Sequence, residues 1–149
     1  MALLLQYTLI YASVLLLVAL GGCFSERSGI INLGLEGIMV AGALGGALVM
    51  KYMPNLSPAA MVLSVVIGSV VFGMVFSLLL AVAAINFNAD QTLVGTAMNM
   101  LATAAATVFV KAINMAENPN NVASTIQYID QKKAFSIVKI AGFEINWFM

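Results

Sequence analysis

The side chains able to do chemistry in this chain are few, and most lie close together. Ser25, Glu26, Arg27, Asn32 and Glu36 fall within one stretch, GGCFSERSGIINLGLEGIMVAGA, residues 21–43. Besides these, the first hundred residues hold only Lys51 and Asp90 as charged groups. An acid beside a base can pair, and a lone acid such as Glu36 can carry a proton. Hydrolytic and metal chemistry lack their usual groups. The chain has no His, the commonest general base and metal ligand. Its single cysteine, Cys23, excludes an internal disulfide and a zinc cluster. No catalytic residue, metal or cofactor is expected within this chain.

The elements that must position these groups are membrane helices. Of 149 residues, 62% are hydrophobic and 8% charged, whereas a soluble domain carries about 25% charged residues. Such a composition cannot cover a water-facing surface. Net charge is zero, and no basic patch offers a footprint for nucleic acid. The fold class expected is all-α, with about four hydrophobic helical segments and a polar C-terminal segment. Leu3 to Gly22 is uncharged and long enough to cross a hydrocarbon core of about 30 Å. A signal peptide is disfavoured, because no Lys or Arg precedes this run and further long apolar segments follow. The second segment, residues 33–50, is short and carries Glu36 near its start, so a re-entrant half-helix fits as well as a span. The third, 59–85, is uncharged and must tilt or project. The fourth, 92–113, has Lys111 near its end. Residues 114–149 regain charge, contain the turn signal ENPNN, and end with Trp147 and Phe148, as at a membrane interface. All four segments and the polar tail form a single partial transmembrane domain.

Small residues recur at helical spacing. Gly42 and Gly46 form a GxxxG pair, and Ser69, Gly73 and Ser77 follow one ridge at i, i+4, i+8. Such residues let helix backbones approach closely in lipid. The expectation is a packed multi-span bundle with these five positions at helix contacts.

Polar groups in a bilayer face protein or a water-filled cavity, because exposure to lipid is costly. Asn32, Asn88, Asp90 and Gln91 cluster with Glu26 and Arg27 at the breaks between segments. Gly29, Gly34 and Gly37 permit irregular backbone between the first two segments. Irregular backbone at membrane depth is tolerated only against protein or a cavity, and broken helices flank the route in transporters. Two readings stand level for Glu26–Arg27: an exposed pair at the membrane surface, or groups lining a route. Glu36, one turn into an apolar segment, is expected to be buried against protein or water. Asn99 is expected to act as interhelical glue rather than as a ligand contact.

The stretch ALGGCFSERSGIINLGLEGIMVAGA closely resembles a signature of bacterial ABC-importer permeases. The matching superfamily handles branched-chain amino acids, ribose and nucleosides, and the nucleoside/simple-sugar subgroup fits best. Ala19 to Gly22, Ser25 to Arg27, Gly29, Asn32 and Gly34 to Gly37 carry the match. A second match runs through Gly95, Ala97, Asn99, Leu101 and Ala102. The resemblance implies a multi-pass subunit of the bacterial inner membrane. Its partners would be a second permease subunit, a cytoplasmic ATPase subunit and an extracytoplasmic substrate-binding lipoprotein. ATP would be hydrolysed on the ATPase, not here. Ser25, Glu26, Arg27, Asn32, Glu36 and Asn99 carry over as candidates for route-lining or hinge roles. Family members are longer and carry a coupling helix in a second half that has no counterpart here. The chain is therefore expected to be a fragment, a truncated reading frame or half of a split permease. The resemblance also puts SERSG and NFNAD on the cytoplasmic side, against the lysine distribution. A rival reading makes the chain an ion- or proton-conducting subunit with Glu36 as carrier.

Overall fold

The computed structural model describes residues 2–53, 56–126, 137–140 and 143–146. Four helices follow one another: α1 (Ala2–Arg27), α2 (Leu35–Tyr52), α3 (Pro58–Asn86) and α4 (Gln91–Glu117). Each is long and apolar enough to cross a membrane. At 1.5 Å per residue, α2 is about 27 Å long and α3 about 43 Å. The first therefore just matches a hydrocarbon core, while the second exceeds it. Strands β1 (Ile137–Ile140) and β2 (Phe143–Asn146) pair antiparallel in the polar segment, with Ile140 opposite Phe143. Pro54, Asn55 and the expected interfacial pair Trp147–Phe148 lie outside the described residues.

α1 continues past Gly22 to Arg27, so Ser25, Glu26 and Arg27 sit in its last turn rather than in a loop. A Schellman cap explains the stop. Gly29 takes a φ of 83°, the left-handed value that glycine adopts without a Cβ penalty. Its N–H donates to Glu26 O at 3.0 Å, and Ile30 N–H donates to Ser25 O at 3.3 Å. The Ser25 hydroxyl adds a bond to Ile30 O at 2.9 Å. At the next reversal, Asp90 caps α4 by accepting from Thr92 N–H at 2.8 Å and Leu93 N–H at 3.3 Å. Asn88, at φ 48°, turns the chain just before it.

α2 and α3 form an antiparallel pair through small residues. A methyl added at Gly42 would lie 3.2 Å from Ser69 O, and one at Gly46 2.5 Å from Ser69 Oγ. At Gly45 it would lie 2.6 Å from Phe72 Cβ. Gly73 faces Ile38 more loosely, at 3.6 Å. Ser77 bonds Met74 O within its own helix at 2.8 Å, at the edge of an open groove of about 380 Å³ between α2 and α3. The buried apolar side chains are Met61, Val62 and Leu80 of α3 and Met98, Ala102 and Val110 of α4. α1 stands apart: none of its described residues is buried. It meets α2 where Gly22 approaches Leu35 Cδ1.

Candidate functional site: a helix break clipped onto α4

The segment between α1 and α2 does not run free across an end of the bundle. It lies along one ridge of α4, made of Gln91, Gly95 and Asn99 at i, i+4 and i+8. Ile31 N–H donates to Gln91 Oε1 at 2.9 Å. Four residues along α4, Gly95 meets Gly34 backbone to backbone: a methyl on Gly95 would lie 2.9 Å from Gly34 N and 3.1 Å from the Leu33 carbonyl carbon. Four residues further, Asn99 makes two bonds. Its Nδ2 donates to Leu33 O at 2.9 Å, and its Oδ1 accepts Gly37 N–H at 2.8 Å. Gly37 has no room for a side chain, since a methyl there would lie 2.9 Å from Met98 O. Asn32 Oδ1 accepts Gly34 N–H at 3.0 Å, closing a local turn.

These contacts set a depth. Positions 91 and 99 are eight residues apart, about 12 Å of helix rise. α2 therefore starts between one and two turns inside the beginning of α4, its cap residue Gly34 beside Gly95 and its third residue Gly37 beside Asn99, and non-helical backbone covers the distance. α2 is short for this reason. The polar groups of that backbone find partners on α4, as burial away from water demands. Asn99 bonds the start of α2 and the residue before its cap to α4, and Asn32 shapes the turn beside it.

Other sequence candidates are placed elsewhere. Glu26 and Arg27 are exposed at the end of α1. Arg27 sits in the last turn, where a cation complements the helix dipole. Glu36, expected to face protein or water, is exposed on the surface of the described chain rather than buried against its other helices. The helix phase is the cause: Gly37 takes the inward position against α4, and its neighbour points about 100° away.

Three polar features were not singled out from sequence. Gln91 was visible only as part of a polar cluster, although its spacing to Gly95 and Asn99 marks the ridge. At the opposite ends of α2 and α4, Lys51 Nζ lies 2.9 Å from Glu117 Oε1. The Lys51 side chain is 12% exposed and that of Glu117 58%. The ammonium is out of solvent reach with no acceptor aligned for a hydrogen bond, so the contact is Coulombic. Asn114, 1% exposed, donates from Nδ2 to Ala123 O and Thr125 O, each at 2.9 Å. It folds the chain after α4 back onto the helix. Pairs so distant in sequence leave no local signal.

Comparison with known proteins adds to this geometry. The chain is 50% identical over 107 residues to the guanosine ABC transporter permease protein NupQ of Bacillus subtilis, covering 71% of this chain and 33% of the relative. It is 38% identical over 126 residues to the nucleoside ABC transporter permease protein NupC of Lactococcus lactis, covering 80% and 38% respectively. It is 37% identical over 106 residues to a putative glucose ABC transporter permease protein of Haloferax volcanii, covering 71% and 30%. The chain thus spans about a third of the length of these relatives. No solved structure matches it significantly. The family described as branched-chain amino acid transport system, permease component, matches residues 4–146. That match runs through all four helices and both halves of the clip, so the chain is an integral membrane protein that belongs to this permease family.

Proposed function

We propose that this chain supplies the first helices of the permease of an ATP-driven importer of nucleosides in a bacterial plasma membrane. The observation that carries the reading is the 50% identity to a guanosine permease over 107 residues. The clipped break between α1 and α2 supports it, because irregular backbone at depth beside exposed polar groups suits a route. Ser25, Glu26, Arg27 and Glu36 then lie near the entrance of that route, while Asn32 and Asn99 hold its wall. Hydrolysis falls to a separate cytoplasmic ATPase. A second permease and an extracytoplasmic binding lipoprotein complete the assembly. No proton is moved or bond broken by this chain. Its contribution is a shaped path that opens and closes.

Inverted membrane vesicles or proteoliposomes holding the complete transporter provide the test. ATP-dependent movement of radiolabelled guanosine is expected, competed by other nucleosides and not by glucose or leucine. Glucose or leucine transport without nucleoside transport would overturn the substrate assignment. ATP-independent proton flux abolished by a carboxylate-reactive carbodiimide would instead favour Glu36 as a carrier.

A further inference from the structure

α2 begins without a cap of its own. Its N-cap residue is Gly34, at φ −83° and ψ 10°, with no side chain to offer. N-cap residues ordinarily take an extended backbone, from which a Ser, Thr, Asp or Asn oxygen accepts the N–H two or three residues on. At a ψ of 10° no side chain at position 34 would be aimed that way. Yet Gly37 N–H, the third N–H beyond the cap, is bonded to Asn99 Oδ1 at 2.8 Å. The cap is supplied from another helix. Asn99 Nδ2 donates to Leu33 O at 2.9 Å, on the other side of Gly34. Two turns earlier on the same ridge, Gln91 Oε1 takes Ile31 N–H at 2.9 Å.

We propose that Asn99 is a positioning residue that caps α2 in trans, and that Gln91 pins the segment ahead of it at Ile31, so that the first turn of α2 is set by the register of α4 rather than by its own sequence. The close approach of Gly95 to Gly34 brings α4 near enough for so short a side chain as asparagine to reach both groups. The two residues differ in the chemistry they use. Gln91 acts through its acceptor oxygen alone, so a carboxylate of the same length suffices there. Asn99 uses acceptor and donor together, so a carboxylate keeps one bond, loses the other and faces the Leu33 oxygen. This inference does not depend on the identity of the transported solute.

Amide hydrogen exchange of the complete transporter in nanodiscs, resolved to single amides, reads the effect. A hydrogen bond of ordinary net strength corresponds to roughly two- to twelve-fold in local exchange. Gln91→Met is expected to speed exchange at Ile31 by that factor, and Gln91→Glu to leave it at the parent rate. Asn99→Leu is expected to speed exchange at Gly37 by a similar factor, with α3 between Val65 and Ala81 unchanged. Asn99→Asp is expected to keep Gly37 protected. Equal exchange at Ile31 in Gln91→Met and Gln91→Glu would overturn the proposal, as would a Gly37 amide indifferent to Asn99→Leu. If Asn99→Leu does not assemble, the Gln91 pair decides alone.

Discussion

Gly45 and Gly73 both lie on the α2–α3 contact, yet replacement by alanine should move stability in opposite directions. A methyl on Gly45 would lie 2.6 Å from both Phe72 Cβ and Phe72 Cγ and 2.8 Å from Gly68 O. Carbon atoms rest at about 3.5–4.0 Å. Neither Phe72 Cβ nor a backbone carbonyl can swing aside, so the helices must part by about 1 Å. Overpacking of this kind costs about 1–3 kcal/mol, partly offset by the roughly 1 kcal/mol that alanine gains over glycine inside a helix. The net expectation for Gly45→Ala is a loss of up to about 2 kcal/mol. At Gly73 a methyl would lie 3.6 Å from Ile38 Cγ2 and 3.8 Å from Ile38 O, which is ordinary contact. Gly73→Ala should therefore keep the helix-propensity gain, up to about 1 kcal/mol. The propensity gain is common to both, so the two variants should differ by the overpacking cost, about 1–3 kcal/mol. Steric trapping of the assembled permease in bicelles measures the difference. Equal stabilities, or a Gly73→Ala variant weaker than Gly45→Ala, would refute the packing argument.

The Lys51–Glu117 pair should respond asymmetrically. Lys51→Met removes a nearly buried charge and leaves Glu117 solvated, so stability should change by less than about 1 kcal/mol, whereas Glu117→Leu strands the Lys51 ammonium and should cost more. The same unfolding measurement checks the order, and a larger loss for Lys51→Met contradicts it. In a Cys23→Ala background, Ser57→Cys and Asn120→Cys should react with an impermeant maleimide from outside, and Asn88→Cys should not. External labelling of Asn88→Cys, with the other two protected, would invert the orientation. Glu36→Ala should lower uptake with membrane abundance unchanged, because the exposed carboxylate contributes nothing to packing within the described helices. Undiminished uptake at normal abundance rules out a route role for Glu36.

The sequence makes the four spans legible because charge is excluded from long apolar runs, a property of the one-dimensional string. It also makes Asn99 legible as a partner-seeking amide, since it is the single carboxamide between residues 92 and 113. Helix phase was harder to read. Glu36 and Gly37 are neighbours, and only the contact with Met98 and Asn99 decides which faces inward. The GxxxG pair at Gly42 and Gly46 is visible by spacing, while the close approach at Gly45 is not, being fixed by where Phe72 falls on the opposing helix. Glycines of the signature look alike in sequence but do different jobs. Gly29 supplies a left-handed turn, and Gly34 and Gly37 supply room.

These attachments give α2 a particular mechanical place. Its start is held to α4 by Asn99, its end is held to the end of α4 by Lys51 and Glu117, and its middle is held to α3 through Gly42, Gly45 and Gly46. α2 therefore cannot slide or rotate without breaking contacts on two helices at once. Among the described residues, α1 approaches α2 where Gly22 meets Leu35, and the chain joins the two through the Schellman turn at Gly29. Close-packed helices favour discrete arrangements over continuous deformation, so α2, α3 and α4 shift as one unit or not at all. We expect any motion of α1 against that unit to be taken up in residues 28–30, ahead of the first α4 contact at Ile31.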